Sequence, residues 1–124
     1  MPLCLIVEDH GDTRDGYAEY LAGCDFDVRM AASAAEFWAV LDEVVPDVVL
    51  MDLRLPEVDG WTLTRQARQD ARTARVPIVV VSGSVREEDR QQALDSGADV
   101  FLAKPCDLDE IVSHIHRLLR PSAW

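Results

Sequence analysis

Positive charge is scarce in this sequence. Twelve basic residues face twenty-three acidic ones, a formal net charge of −11, and Lys104 is the only lysine, the other eleven being Arg. That balance repels a phosphate backbone and an anionic lipid surface, so direct binding to nucleic acid or to a membrane is not expected. Cysteine is sparse too. Cys4, Cys24 and Cys106 are three in number and far apart, without the C-x-x-C spacing that chelates zinc or makes a redox dithiol. All three read as free thiols. His114 and His116 lie two apart on a helical pattern, point in different directions and cannot share a metal. Long apolar runs are missing as well: Met1–Val7 has no basic leader, and its apolar stretch stops at Glu8, too short for a signal peptide or a membrane span. The expected location is the cytoplasm.

What is present suits one globular domain over residues 1–124. The 124 residues and 13.8 kDa suffice for a single core, and 48% hydrophobic with 28% charged residues is ordinary for a soluble fold. Short apolar, β-branched runs recur at Leu3–Val7, Asp47–Leu53 and Ile78–Val81, as in strands buried on both faces, with weaker runs at Phe26–Ala31 and Val100–Ala103. Helical periods lie between them. Ser33-Ala34-Ala35-Glu36 is a capping box followed by Phe37, Val40, Leu41 and Val44 on one face. Asp107-Leu108-Asp109-Glu110 repeats the box before a stripe of Leu108, Ile111, Val112, Ile115, Leu118 and Leu119 that stops ahead of Pro121. Gly23 and Gly97 sit where left-handed residues would end the first and fourth helices. Strand and helix alternate five times with no linker, repeat or low-complexity stretch. The expected class is α/β: a doubly wound, five-stranded parallel sheet with right-handed crossovers.

In such a sheet ligands bind beyond the carboxyl ends of the strands, near the point where strand order reverses. Those ends carry Glu8-Asp9, Asp52, Ser82-Gly83 and Lys104-Pro105. Each has an ordinary alternative: Glu8-Asp9 a solvated turn, Ser82 a satisfied turn hydroxyl, Lys104-Pro105 a trans bond in a surface loop. Asp52 follows the apolar Val48-Val49-Leu50-Met51, a poor place for an idle acid. Falling together at one sheet edge, the four sets form a constellation. Three crowded carboxylates are held partly neutral unless a cation joins them; Lys104 supplies one charge, and a hard divalent ion such as Mg2+ suits the oxygen ligands.

These motifs resemble the receiver domain of bacterial two-component response regulators, including chemotaxis-type receivers that stand alone. The resemblance runs through Ile6-Val7-Glu8-Asp9, Val49-Leu50-Met51-Asp52-Leu53-Arg54-Leu55-Pro56 with Asp59-Gly60, Pro77 to Gly83, and Gly97 to Pro105. It implies a flavodoxin-like sheet of strand order 2-1-3-4-5. It further implies Asp52 as phosphoacceptor, and Mg2+ held by Asp9, Asp52 and the backbone carbonyl of Arg54, with Glu8 acting mostly through water. Ser82 resembles the switch hydroxyl, Gly83 an N–H donor beside it, Lys104 the ammonium beside the phosphoryl group, Phe101 the switch aromatic, and Lys104-Pro105 the cis peptide. The implied partners are a sensor histidine kinase or a histidine phosphotransfer protein upstream. Downstream, a target protein would meet the face of the fourth helix, fifth strand and fifth helix. The domain would be a phosphoacceptor signalling module that catalyses its own phosphorylation and slow dephosphorylation, not a conventional enzyme.

Three positions depart from the family pattern: Gly83 for alanine, Phe101 for tyrosine and Cys106 for phenylalanine. Rival readings are a receiver-like interaction module that is never phosphorylated, a receiver fragment of a larger regulator, an aspartate-nucleophile phosphohydrolase and a flavin-binding domain. The phosphohydrolase would need a second acid at position 54, where Arg54 stands, and flavin phosphate would be repelled by Glu8-Asp9. Arg90, Asp99 and Glu110 match charges that pair across the homodimer of winged-helix regulators. Val100 and His114 stand where an acid and an arginine are usual, which favours a heterologous partner; Val100, if exposed, would offer an apolar spot beside the fourth helix.

Overall fold

The central strands form where the sequence is most continuously apolar. In the computed structural model, which describes residues 1–83, 86–105 and 107–119, β1 (Leu3–Val7), β3 (Val48–Asp52) and β4 (Ile78–Ser82) are buried along almost their whole length. The weaker runs become β2 (Asp27–Ala31) and β5 (Val100–Ala103), which lie at the two edges. All pairings are parallel and the order is β2-β1-β3-β4-β5, with Val7 opposite Met51 and Asp52 opposite Val81. Cys106 and Pro121, singled out above, fall outside the described residues.

The two-residue side-chain period of each strand sorts the core into two layers. Leu5, Val7, Val49, Met51 and Val80 pack with Phe37 and Leu41 of α2 (Ala34–Leu41), Leu63 and Ala67 of α3 (Gly60–Gln69) and Ala93 of α4 (Glu87–Asp95). Cys4, Ile6, Leu50, Val79 and Val81 face Leu21 of α1 (Gly11–Gly23) and Ile111, Val112 and Ile115 of α5 (Leu108–Leu119). Burial pushes the Cys4 thiol up to about 12, so it packs as an apolar group. Val100, a docking spot only if exposed, is half-buried against this second layer.

Helix ends follow local chemistry with two differences. Ser33 caps α2 by accepting from the Glu36 N–H at 3.2 Å, but the Glu36 carboxylate reaches the Ala32 N–H at 2.9 Å, one residue beyond the expected reciprocal bond. Gly97 ends α4 with φ 115 as expected, whereas Gly23 lies inside α1 and the left-handed residue is Asp25, φ 69. The chain closes α1 with the Cys24 and Phe26 N–H groups on the Leu21 carbonyl, and a short Asp side chain tolerates the left-handed position that follows.

At the amino ends of β4 and β5, the Arg68 guanidinium gathers two loops. It donates to the carbonyls of Gly97 at 2.8 Å and Val76 at 2.5 Å and to Asp99 Oδ2 at 2.7 Å, and Asp99 also accepts from the Ile78 N–H at 2.8 Å.

Candidate functional site

Strand order reverses between β1 and β3, so the residues that leave these strands meet at one end of the sheet. Glu8, Asp9 and Asp52 each bring a carboxylate oxygen to within 4.8 Å of the others. Glu8 is 1% and Asp52 8% exposed, while Asp9 faces solvent. Lys104, leaving β5, places Nζ 3.0 Å from Glu8 Oε1 and 3.9 Å from Asp52 Oδ1. Its backbone N–H donates to the Ser82 carbonyl at 2.7 Å, and the Lys104–Pro105 peptide is cis.

Charge is unevenly divided in this cluster. Burial and the Glu8 carboxylate together push Asp52 up to about 7, against smaller lowering effects of the Lys104 charge and the Arg54 N–H. Burial also works to raise Glu8. Hydrogen bonds to Asp52 and Lys104, the ammonium's charge and the His10 N–H outweigh it and hold Glu8 below the usual carboxylate range. The pair therefore shares its proton in favour of Asp52.

The remaining expected residues surround this cluster at different distances. Ser82, 1% exposed, and Arg54 line a cleft of about 630 Å³ with Asp9. Gly83 is exposed, with open space where a Cβ would stand, so the alanine of the family pattern would fit. Phe101 is half-buried against the core layer under α2, α3 and α4 and is not among the charged groups.

Two residues at the site, Arg14 and His10, escaped the sequence reading, and the Asp89 contact of Trp61 did too. Arg14 donates to the Glu8 carbonyl at 3.1 Å and the Asp9 carbonyl at 3.5 Å, fixing the loop that carries both acids. Helical side chains point back toward the amino end, so an Arg one turn into α1 was the available signal. His10 caps α1, Nδ1 lying 3.4 Å from the Thr13 N–H. Trp61 lines the cleft, and its indole N–H donates to the Asp89 carbonyl at 3.3 Å.

The model of the response regulator receiver domain family matches residues 4–116, nearly the whole chain and every strand end described above. The chain belongs to this family. The receiver is 35% identical over 120 residues to the DNA-binding dual master transcriptional regulator RpaA of Synechocystis sp., a match covering 97% of this chain and 50% of that protein. The chain thus spans about half the length of the first curated relatives it matches. An uncharacterized 14.6 kDa protein of Leptolyngbya boryana is 34% identical, with 87% of this chain and 82% of that protein covered. Among solved structures, the receiver domain of a sensor histidine kinase from Pseudomonas aeruginosa PAO1 superposes with a TM-score of 0.87 at 28% identity, covering 95% of this chain and 97% of that one; it holds a magnesium ion coordinated in its active site cleft. The chain described is a two-component receiver domain, a signalling module.

The acidic cluster of this receiver can hold a metal. Its donors are hard carboxylate oxygens, and ligands around one octahedral Mg2+ stand at most about 4.2 Å apart, close to the spread seen here. Among the described residues no helix is long and apolar enough to cross a membrane.

Proposed function

We propose that Asp52 accepts a phosphoryl group from a phosphohistidine on a sensor histidine kinase or histidine phosphotransfer protein, and that the receiver catalyses this transfer itself. The observation that carries the reading is the placement of Asp52: a buried carboxylate at the end of β3, grouped with Glu8 and Asp9 and 3.9 Å from the Lys104 ammonium. An Asp52 oxygen attacks phosphorus, the P–N bond breaks, and the donor imidazole keeps the electron pair and takes up a proton. Water later attacks the same phosphorus and releases inorganic phosphate, restoring the carboxylate.

Mg2+, held by Asp9, Asp52 and the Arg54 carbonyl with Glu8 behind them, would supply charge neutralisation at the phosphoryl oxygens. Lys104 adds a cation, and the Ser82 hydroxyl and Gly83 N–H add donors that position those oxygens. Movement of Ser82 toward the phosphoryl group opens space for Phe101 to turn inward. That turn alters the face of α4, β5 and α5, where a downstream protein would bind. The cytoplasm is the compartment in which such a donor and target would be met.

Incubation with Mg2+ and acetyl phosphate, followed by intact mass, tests the reading. One added phosphoryl group in the wild type and none in Asp52→Asn is the expected result. No mass gain in the wild type identifies an interaction module that works without phosphorylation.

A further inference from the structure

The contacts of Trp61 join two parts of the receiver that the proposed switch must couple. The Gly60 N–H donates to the Leu53 carbonyl at 2.8 Å, and a Cβ at Gly60 would overlap the Asp52 carbonyl oxygen and Leu53 Cα. The start of α3 therefore rests directly on the peptide that follows Asp52. Trp61 is the next residue. Its indole N–H reaches 28 positions along the chain to the carbonyl of Asp89, in the first turn of α4.

Little of α4 is buried: Ala93 is its one buried residue. The far end of the helix is held at Gly97, whose carbonyl accepts from Arg68 Nε at 2.8 Å. So α4 is pinned at the end remote from Asp52 and tied at the near end by an indole. Trp61 and Asp89 also share the cleft wall with Asp9, Arg54, Ser82 and Arg86, which brings the tie to the edge of the charged cluster.

We propose that Trp61 is a positioning residue that ties the first turn of α4 to the backbone of Asp52 and sets how readily that turn moves when a phosphoryl group is added. The second half rests on the phosphoacceptor reading of Asp52; the first half does not. With the tie in place, displacement of the loop after β3 is passed to α4 through a rigid ring. Without it, this link between the loop after β3 and α4 is lost and the near end of α4 moves more readily.

Trp61→Phe keeps a ring in place and removes the donor. Hydrogen exchange of the full chain without metal should show α4 amides exchanging about fivefold faster in the variant, the equilibrium factor matching about 1 kcal/mol for one hydrogen bond. Exchange in α5 should be unchanged. In the wild type, the indole N–H resonance that disappears in Trp61→Phe should be protected from solvent exchange and should shift on addition of Mg2+ and beryllofluoride, a phosphoryl mimic. The beryllofluoride-induced change in α4 exchange should be smaller in the variant. Equal α4 exchange in the two proteins overturns the tie, and so does a uniform rise that includes α5, which would signal general loosening. Failure of the phosphoacceptor reading is seen separately, as no mass gain with acetyl phosphate.

Discussion

Lys104 is paired with Glu8, Nζ to Oε1 at 3.0 Å, across 96 positions of sequence and over the ends of the two strands that lie between β1 and β5. The pairing keeps Glu8 ionised and leaves the proton of the acidic cluster on Asp52. In the folded protein Asp52 has a pKa of about 7, raised from 3.8. A raised carboxyl contributes stability that is full below the unfolded value and is lost as pH rises through the folded one. Metal-free receiver should therefore lose stability between about pH 4 and pH 7. Asp52→Asn removes the loss, and thermal melts at pH 8 should place the variant above the wild type by several degrees or more. At pH 4 the two should nearly coincide.

Mg2+ should relieve the same crowding. A ligand that binds the native state at ten times its Kd adds about 1.4 kcal/mol, again a few degrees in melting temperature. Asp9→Asn, which removes the solvent-facing carboxylate, should shift that dependence to higher Mg2+ concentration. Trp61 fluorescence should follow the titration, since the ring lines the same cleft. A melting temperature indifferent to millimolar Mg2+ would rule out the cluster as a cation site.

Gly60→Ala puts a methyl group where the Asp52 carbonyl and Leu53 Cα already stand. The backbone of either α3 or the β3 end must shift, at a cost of about 2–3 kcal/mol by urea denaturation. Because the displaced peptide belongs to Asp52, phosphoryl uptake from acetyl phosphate should slow by more than the loss of folded protein explains. A stable variant with unchanged uptake would contradict the close approach.

Asp99 accepts from Arg68 and the Ile78 N–H, and Arg90 lies 3.3 Å from Glu87 on its own helix. Asp99 is thus already engaged within the chain. Val100 and His114 already depart from the charge pattern of the winged-helix homodimer. Sedimentation at tens of micromolar with Mg2+ and beryllofluoride is expected to show a monomer. A tight dimer that forms only on activation and is broken by Arg90→Glu would overturn this expectation.

The legible parts of the fold were those set by short-range pattern. Buried runs marked β1, β3 and β4, and the Leu108 to Leu119 stripe marked α5, because side-chain period is a local property of the chain. The acidic cluster was legible for a related reason. Once strands alternate with helices, topology brings Glu8, Asp9 and Asp52 to one edge without any side-chain detail. Contacts that depend on three-dimensional packing were not visible. Nothing near Arg68 in sequence announces that it will meet Gly97 and Asp99, and nothing near Trp61 announces Asp89. Gly23 was misplaced because glycine at a helix end is only a tendency, and Asp25, two residues on, adopts the left-handed turn. Whether Val100 is exposed could not be read from sequence, because its burial depends on the packing of β5 against the second core layer.

The Arg68 grip has a mechanical meaning for the molecule as a whole. One planar guanidinium, joined to the 70s loop, the turn before β5 and an Asp carboxylate, acts as a fixed fulcrum at the amino end of the sheet. A lever needs such a point: were phosphoryl transfer to Asp52 to displace the opposite end, as proposed above, a fixed rear would turn that displacement into rotation of α4 instead of drift of the whole layer.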